Sequence, residues 1–132
     1  NALSDLIEHI LNPVAQYFGD IQLTYGFCSL ELSKHIDSRI YPKLDQHSAC
    51  ELNSKGDLIC ERKGAACDFY IKGVSSLILA KWITSNTKFD RLYFYGDELP
   101  IHVSYGPEHT RQIVTMNPGK SGKLIPKTVK KL

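Results

Sequence analysis

Two extended runs limit the fold of this chain more than any other stretch. Phe89-Asp90-Arg91-Leu92-Tyr93-Phe94-Tyr95 is its most aromatic segment, and Ile101-His102-Val103-Ser104-Tyr105 alternates apolar and polar residues. The joint between them, Gly96-Asp97-Glu98-Leu99-Pro100, is made of turn formers. Strand-forming runs joined in this way predict an antiparallel hairpin. A sheet started there must bury one face, and helical spacing elsewhere supplies the cover. Leu3, Leu6, Ile7, Ile10, Leu11, Val14 and Phe18 fall on one stripe, with Ser4 as N-cap, Pro13 as a kink and Gly19 as the stop. Ile21–Tyr25 reads as a strand, Gly26 as a turn and Ser29 as a cap, before a second helix carrying Leu30, Leu32, His35 and Ile36. Residues 37–48 have no periodicity and form a loop, and residues 51–60 have a turn cluster at their centre that predicts a small hairpin. Phe69-Tyr70-Ile71 continues as a strand, and Ser75-Ser76 introduces a helix with Leu77, Ile78, Ala80, Trp82 and Ile83, Trp82 belonging to the core. The expected class is α+β, an antiparallel sheet with helices packed on one face.

With 132 residues, 42% of them hydrophobic and 23% charged, the chain suits one domain that buries about two-thirds of its unfolded surface. No apolar run approaches the roughly 20 residues of a membrane-spanning helix. The net charge of +2 is uneven, because residues 117–132 hold Lys120, Lys123, Lys127, Lys130 and Lys131 and no acid, leaving −3 for residues 1–116. Turn formers in Asn117-Pro118-Gly119-Lys120-Ser121-Gly122 make residues 117–132 a basic tail or linker behind a domain at 1–116. Nucleic-acid binding is disfavoured, since the tail lacks interleaved arginines and aromatics. The chain opens at Asn1 without a basic-then-apolar leader, which leaves the compartment open.

The chemistry-bearing residues are His47, Asp68 and His102. Two imidazoles and a carboxylate are a common hydrolytic zinc set, with a fourth position left for a water whose pKa falls to about 7. Singly, each has a plainer role: a strand histidine is ordinarily packed, and an aspartate before an apolar run ordinarily serves a turn. The hairpin turn would bring Asp97 and Glu98 toward His102. Cys28, Cys50, Cys60 and Cys67 are thiols in a reducing compartment or allow three disulfide pairings in an oxidising one, Cys50 with Cys60 being the simplest; no Cys-x-x-Cys supports a closed zinc centre. A thiol nucleophile at Cys28 or Cys67, paired with His47 or His102, has no local signature. His9 and His35 read as surface helix residues, His109 as a loop residue, and Ser104 and Tyr105 as supports for the orientation of His102.

Four segments in order, Leu23-Thr24-Tyr25-Gly26-Phe27-Cys28-Ser29, Gln46-His47, Gly64-Ala65-Ala66-Cys67-Asp68-Phe69, and Phe89-Asp90-Arg91-Leu92 with Ile101-His102-Val103-Ser104, resemble the motifs of the zinc D-Ala-D-Ala carboxypeptidases, peptidase family M15. That family shares its fold with the hedgehog signalling domain, and the similarity spans most of residues 3–106. It implies a hedgehog/DD-peptidase-like domain with Zn²⁺ on His47, Asp68 and His102, hydrolysing a peptide amide, such as one in peptidoglycan, with metal-activated water. It also implies a carboxylate base shortly before the last ligand, assigned here to Asp97 and Glu98 jointly. Two departures are visible. His47 and Asp68 are 21 positions apart, the extra length being the cysteine-flanked hairpin, and Cys28 stands where the family commonly has an arginine, so that Arg39, Arg62 or Arg91 would have to substitute. Two other readings stand beside this one: a noncatalytic module of the same fold that recognises cell-wall material or a protein partner, and a zinc hydrolase of a non-peptide substrate within a larger nucleic-acid-related protein. A peptidoglycan peptidase would work in the cell envelope or outside the cell, and a piece of a larger intracellular or phage protein in the cytoplasm.

Overall fold

The structure is a computed structural model that describes residues 1–29, 32, 35 and 42–132. The N-terminal helix runs as α1 (Ala2–Leu6), a π turn (Ile7–Leu11) and α2 (Asn12–Phe18). Asn1 caps it, its side chain accepting from Ser4 N at 2.9 Å, so Ser4 lies inside the helix and is not its cap. Pro13 cannot donate to the carbonyl four residues back, and the π turn immediately before it absorbs the misfit. Gly19 ends the helix with φ 100°. The wider turn puts Leu6, Ile10 and Val14 in the core, while Leu3 and Ile7, expected on the same stripe, are exposed. Ser29 Oγ accepts from Leu32 N at 3.1 Å, as a cap does, but Leu30 and Ile36 of the expected second helix lie outside the described residues.

Six strands follow: β1 (Ile21–Tyr25), β2 (Ala65–Ile71), β3 (Arg91–Phe94), β4 (Ile101–Tyr105), β5 (Gln112–Pro118) and β6 (Leu124–Val129), with α3 (Ser76–Asn86) between β2 and β3. Their order in the sheet is β1-β2-β4-β3-β5-β6. The expected β3–β4 hairpin is present, with Tyr93 opposite His102. The sheet is mixed and not purely antiparallel, because β5 pairs in parallel with β3. The chain leaves β4, crosses the end of β3 and returns on its far side. Running opposite to β4, as β3 does, β5 necessarily runs parallel to β3.

Residues 117–132 are also not a free tail. They close a hairpin in which β6 pairs with β5 from Val129 opposite Ile113 to Leu124 opposite Pro118, so the expected boundary at 116/117 falls inside β5. The turn is held by Gly119 N donating to Lys123 O at 2.8 Å. β6 is an edge strand, and Pro126 with the neighbouring lysines blunts that edge against further pairing.

Among the described residues, the N-terminal helix and α3 cover one face of the sheet. Leu6, Ile10 and Val14 from the N-terminal helix and Leu79, Ala80 and Ile83 from α3 form a single core with Cys67, Phe69 and Ile71 of β2, Leu92 of β3, Ile101 and Val103 of β4, and Ile113 of β5. Trp82 sits at its rim, partly buried and stacked on Tyr17 at 5.0 Å. Since side chains alternate along strands, Asp68, Tyr93 and His102 project from the opposite face.

Candidate metal centre

Asp68 and His102 are direct partners across the β2–β4 ladder. His47 comes to them from the loop side, in a short 3₁₀ turn (Gln46–Ser48). Asp45 starts that turn by accepting from His47 N at 3.0 Å, and Ala49 in the left-handed region, φ 51°, ends it. The exit of β1 grips the histidine from behind: Gly26 O accepts from His47 Nδ1 at 2.8 Å, and Cys28 N donates to His47 O at 2.9 Å. With Nδ1 donating, the bare nitrogen is Nε2.

His47 Nε2 lies 3.2 Å from Asp68 Oδ1, and His102 Nδ1 lies 2.8 Å from the same oxygen. One ligand atom from each of the three residues lies within 4.8 Å of the others, and among the described residues they are the only group of three or more His, Cys, Asp or Glu that could hold a metal ion. A tetrahedral ion with bonds of roughly 2.0–2.1 Å sets its donors about 3.3 Å apart, close to the two contacts made by Asp68. Electrostatics favours a cation too. A bare imidazole nitrogen against a carboxylate oxygen sets two lone pairs face to face unless a proton or a metal ion lies between them. Burial opposes charge on both groups, yet with a proton on His47 Nε2 in place of an ion, hydrogen bonds from His102 and His47 take the Asp68 carboxyl down to about 2, and Asp68 raises the His47 imidazole above its ordinary value. The His47 and His102 side chains are 6% and 14% exposed and that of Asp68 29%, so solvent reaches the centre through its carboxylate.

Aromatic residues frame these ligands. Tyr25 meets His47 edge-on at 4.4 Å, and Tyr93 tilts against His102 at 5.0 Å. Burial, with the Asp68 charge behind it, pushes the Tyr95 hydroxyl up to about 12, and burial with the neighbouring Cys28 thiol raises Tyr25 further. Arg62 Nη1 donates to Tyr93 Oη at 3.4 Å and to Leu44 O at 3.1 Å, which places a cation at the rim. Of the other arginines considered, Arg91 is committed to Asp90 at 3.0 Å and Gln112 at 3.2 Å, and Arg39 lies outside the described residues.

Asp97 and Glu98, assigned as the base, do not join the three ligands. Asp97 Oδ1 accepts from Ser75 Oγ and, at 3.1 Å, from Leu77 N, so it braces the head of α3, and those bonds hold its carboxyl low. Glu98 is exposed. The other expected supports are also occupied elsewhere: Ser104 Oγ accepts from Arg91 N at 3.0 Å, Tyr105 stacks on His9 at 4.7 Å, and His109 is bonded to Lys88 O at 3.0 Å. Residues that sequence reasoning passed over hold the loop. Gln46, fully buried, donates from Nε2 to Asp90 Oδ2 at 2.8 Å and to Lys63 O at 2.9 Å. Both Gln46 and Asp90 stand inside the motifs quoted above, which was the available signal. No two cysteines are bonded.

Compared with known proteins, the chain matches no family model, no curated protein and no solved structure.

Proposed function

We propose that this domain is a zinc-dependent hydrolase that binds the ion through His47 Nε2, Asp68 Oδ1 and His102 Nδ1 and cleaves a peptide amide bond, as its resemblance to D-Ala-D-Ala carboxypeptidases implies. The observation that carries this reading is the convergence of those three atoms from two strands and a braced loop. Zinc held by three protein ligands supplies a fourth site for water, a lowered pKa for that water and polarisation of a carbonyl. The chain's own groups supply the rest. The Gly26 carbonyl fixes the His47 tautomer, the strand pairing of Asp68 with His102 fixes their approach, and the partial exposure of Asp68 leaves an opening for substrate. Arg62 and the Tyr93 hydroxyl that it meets give this opening donors for an anionic or carbonyl group.

One observation favours a second reading, a noncatalytic metal-bound module of the same fold: Asp97 is spent on the head of α3, and Glu98 is solvent-exposed. Elemental analysis of the purified domain, followed by incubation with an acetylated peptide ending in D-Ala-D-Ala, separates the two. About one zinc per chain, lost in both His47→Ala and His102→Ala, with release of D-alanine by the parent protein, is the result expected of the hydrolase. Zinc at that level without turnover of this peptide or of a D-amino-acid peptide library supports the module. Absence of zinc after reconstitution ends both metal-dependent readings.

A further inference from the structure

The connection between His47 and Asp68 carries a second pair of reactive groups. Leu52 and Leu58 are antiparallel bridge partners, Ile59 N donates to Glu51 O at 2.9 Å, and Asn53 N donates to Asp57 O at 2.8 Å. Cys50 and Cys60 are the residues next outward from the Glu51–Ile59 bond, at the base of this hairpin. The strand ends at Cys50, which has φ 66°, and its thiol is held on Gly64: Gly64 N donates to Sγ at 3.3 Å, and Sγ donates to Gly64 O at 3.7 Å. Burial raises the Cys60 thiol against an opposing backbone hydrogen bond and charge from Arg62, with Asp45 and then Cys50 adding to the rise.

Their access to solvent differs. Cys60 is fully buried, whereas Cys50 is half-buried and lines a cavity of about 500 Å³ together with His9, Lys63, Tyr105 and Pro107. Asp5 lines the same cavity as His9 and Lys63, so its wall carries ionisable groups of both signs beside Cys50. Of the remaining cysteines, Cys67 faces the core from β2 and Cys28 is buried behind His47.

We propose that Cys50 and Cys60 form a reversible dithiol–disulfide pair, with Cys50 the thiol that meets the oxidant and Cys60 the one that resolves it. The oxidant is a small-molecule disulfide. Cys50 gives up its proton and attacks one sulfur, forming a mixed disulfide and expelling one thiolate. Cys60, losing its proton in turn, attacks the Cys50 sulfur and expels the second. The protein gives up two electrons and two protons, and one disulfide becomes two thiols. The Gly64 contacts of the Cys50 thiol are exchanged for an S–S bond that staples the base of the hairpin. The step does not involve the metal centre, so it stands or falls separately from the hydrolase reading.

The test is incubation of the folded full chain with oxidised glutathione, then intact mass measurement and non-reducing tryptic mapping. Cleavage after Lys43, Lys55 and Arg62 places Cys50 in residues 44–55 and Cys60 in residues 56–62. The expected product has lost about 2 Da, yields these two peptides linked, and reverts with dithiothreitol. Cys60→Ser is expected to accumulate a glutathione adduct on Cys50, and Cys50→Ser to accumulate neither adduct nor link at Cys60. A lasting glutathione adduct on Cys50 of the unsubstituted protein, a link through Cys28 or Cys67, or no reaction of the folded chain would each overturn the proposal. Because the map of the unsubstituted protein is decisive alone, a variant that fails to fold does not rescue it.

Discussion

Gln46 donates its side-chain amide to Asp90 Oδ2 at 2.8 Å, tying the residue before His47 to the residue before β3. The same amide reaches Lys63 O at 2.9 Å, so one buried side chain clamps both ends of the long ligand-bearing connection to the sheet. Replacing it with leucine leaves a partly buried carbonyl without this donor and removes one donor from a buried carboxylate. Gln46→Leu is expected to cost roughly 1–3 kcal/mol in urea unfolding. Because His47 loses its brace, zinc affinity is expected to fall about 10–100-fold, as when a supporting partner of a metal ligand is lost. Unchanged affinity in a zinc-competition titration would mean that Gly26 and Cys28 position His47 unaided.

Asp90 makes the same network sensitive to acid. Burial disfavours its charge, but Thr110 N at 2.9 Å, Thr110 Oγ1 at 2.7 Å, Gln46 and Arg91 outweigh that and hold its carboxyl below the ordinary range. A carboxyl with a depressed folded-state pKa contributes stability that is complete above its unfolded value, about 3.9, and is lost as the pH falls through the folded value. Asp90→Asn is therefore expected to be less stable than the parent at pH 7, with the gap closing below about pH 4. Thermal unfolding of both proteins across that range checks it, and a constant gap would assign the loss to packing.

How much of this was legible in the sequence depended on how local the cause was. The β3–β4 hairpin, β1, the Gly19 stop and the start of a helix at Ser75-Ser76 rest on neighbours within a few positions, and each is present. His47, Asp68 and His102 were readable as a group, and the structure brings them together. The parallel pairing of β5 with β3 was not readable, because it follows from a crossover and not from the residues of β5 itself. Nor was β6: Leu124-Ile125-Pro126-Lys127-Thr128-Val129 is largely exposed, and an edge strand with proline and lysine has the composition of a linker. The role of Asp97 was hidden for a similar reason, since Ser75, whose hydroxyl it accepts from, lies 22 positions upstream.

That role separates Asp97 from the chemistry. If the carboxylate braces α3 and does not handle protons, Asp97→Ala lowers the melting temperature but leaves zinc content and any peptide hydrolysis at the parent level, whereas Glu98→Gln changes neither stability nor zinc content. Loss of turnover in Asp97→Ala, with zinc retained and the melting temperature intact, would return Asp97 to the role of base.

The C-terminal hairpin gives the sharpest contrast between what composition implies and what the fold does with it. A lysine-rich linker can be removed without cost, but β6 satisfies the outer backbone groups of β5 along six residue pairs, and Val129 and Leu132 pack against the core. A chain ending at Pro118 would leave β5 as a bare edge beside Ile113 and Val114, both only 5% exposed in the full chain. It is expected to melt at least about 5 °C lower and to self-associate through the uncovered edge. Differential scanning calorimetry and light scattering of the two chains decide this. Equal melting temperatures with both proteins monomeric would show that the β5–β6 ladder contributes nothing to the domain, and would restore the boundary at 116/117.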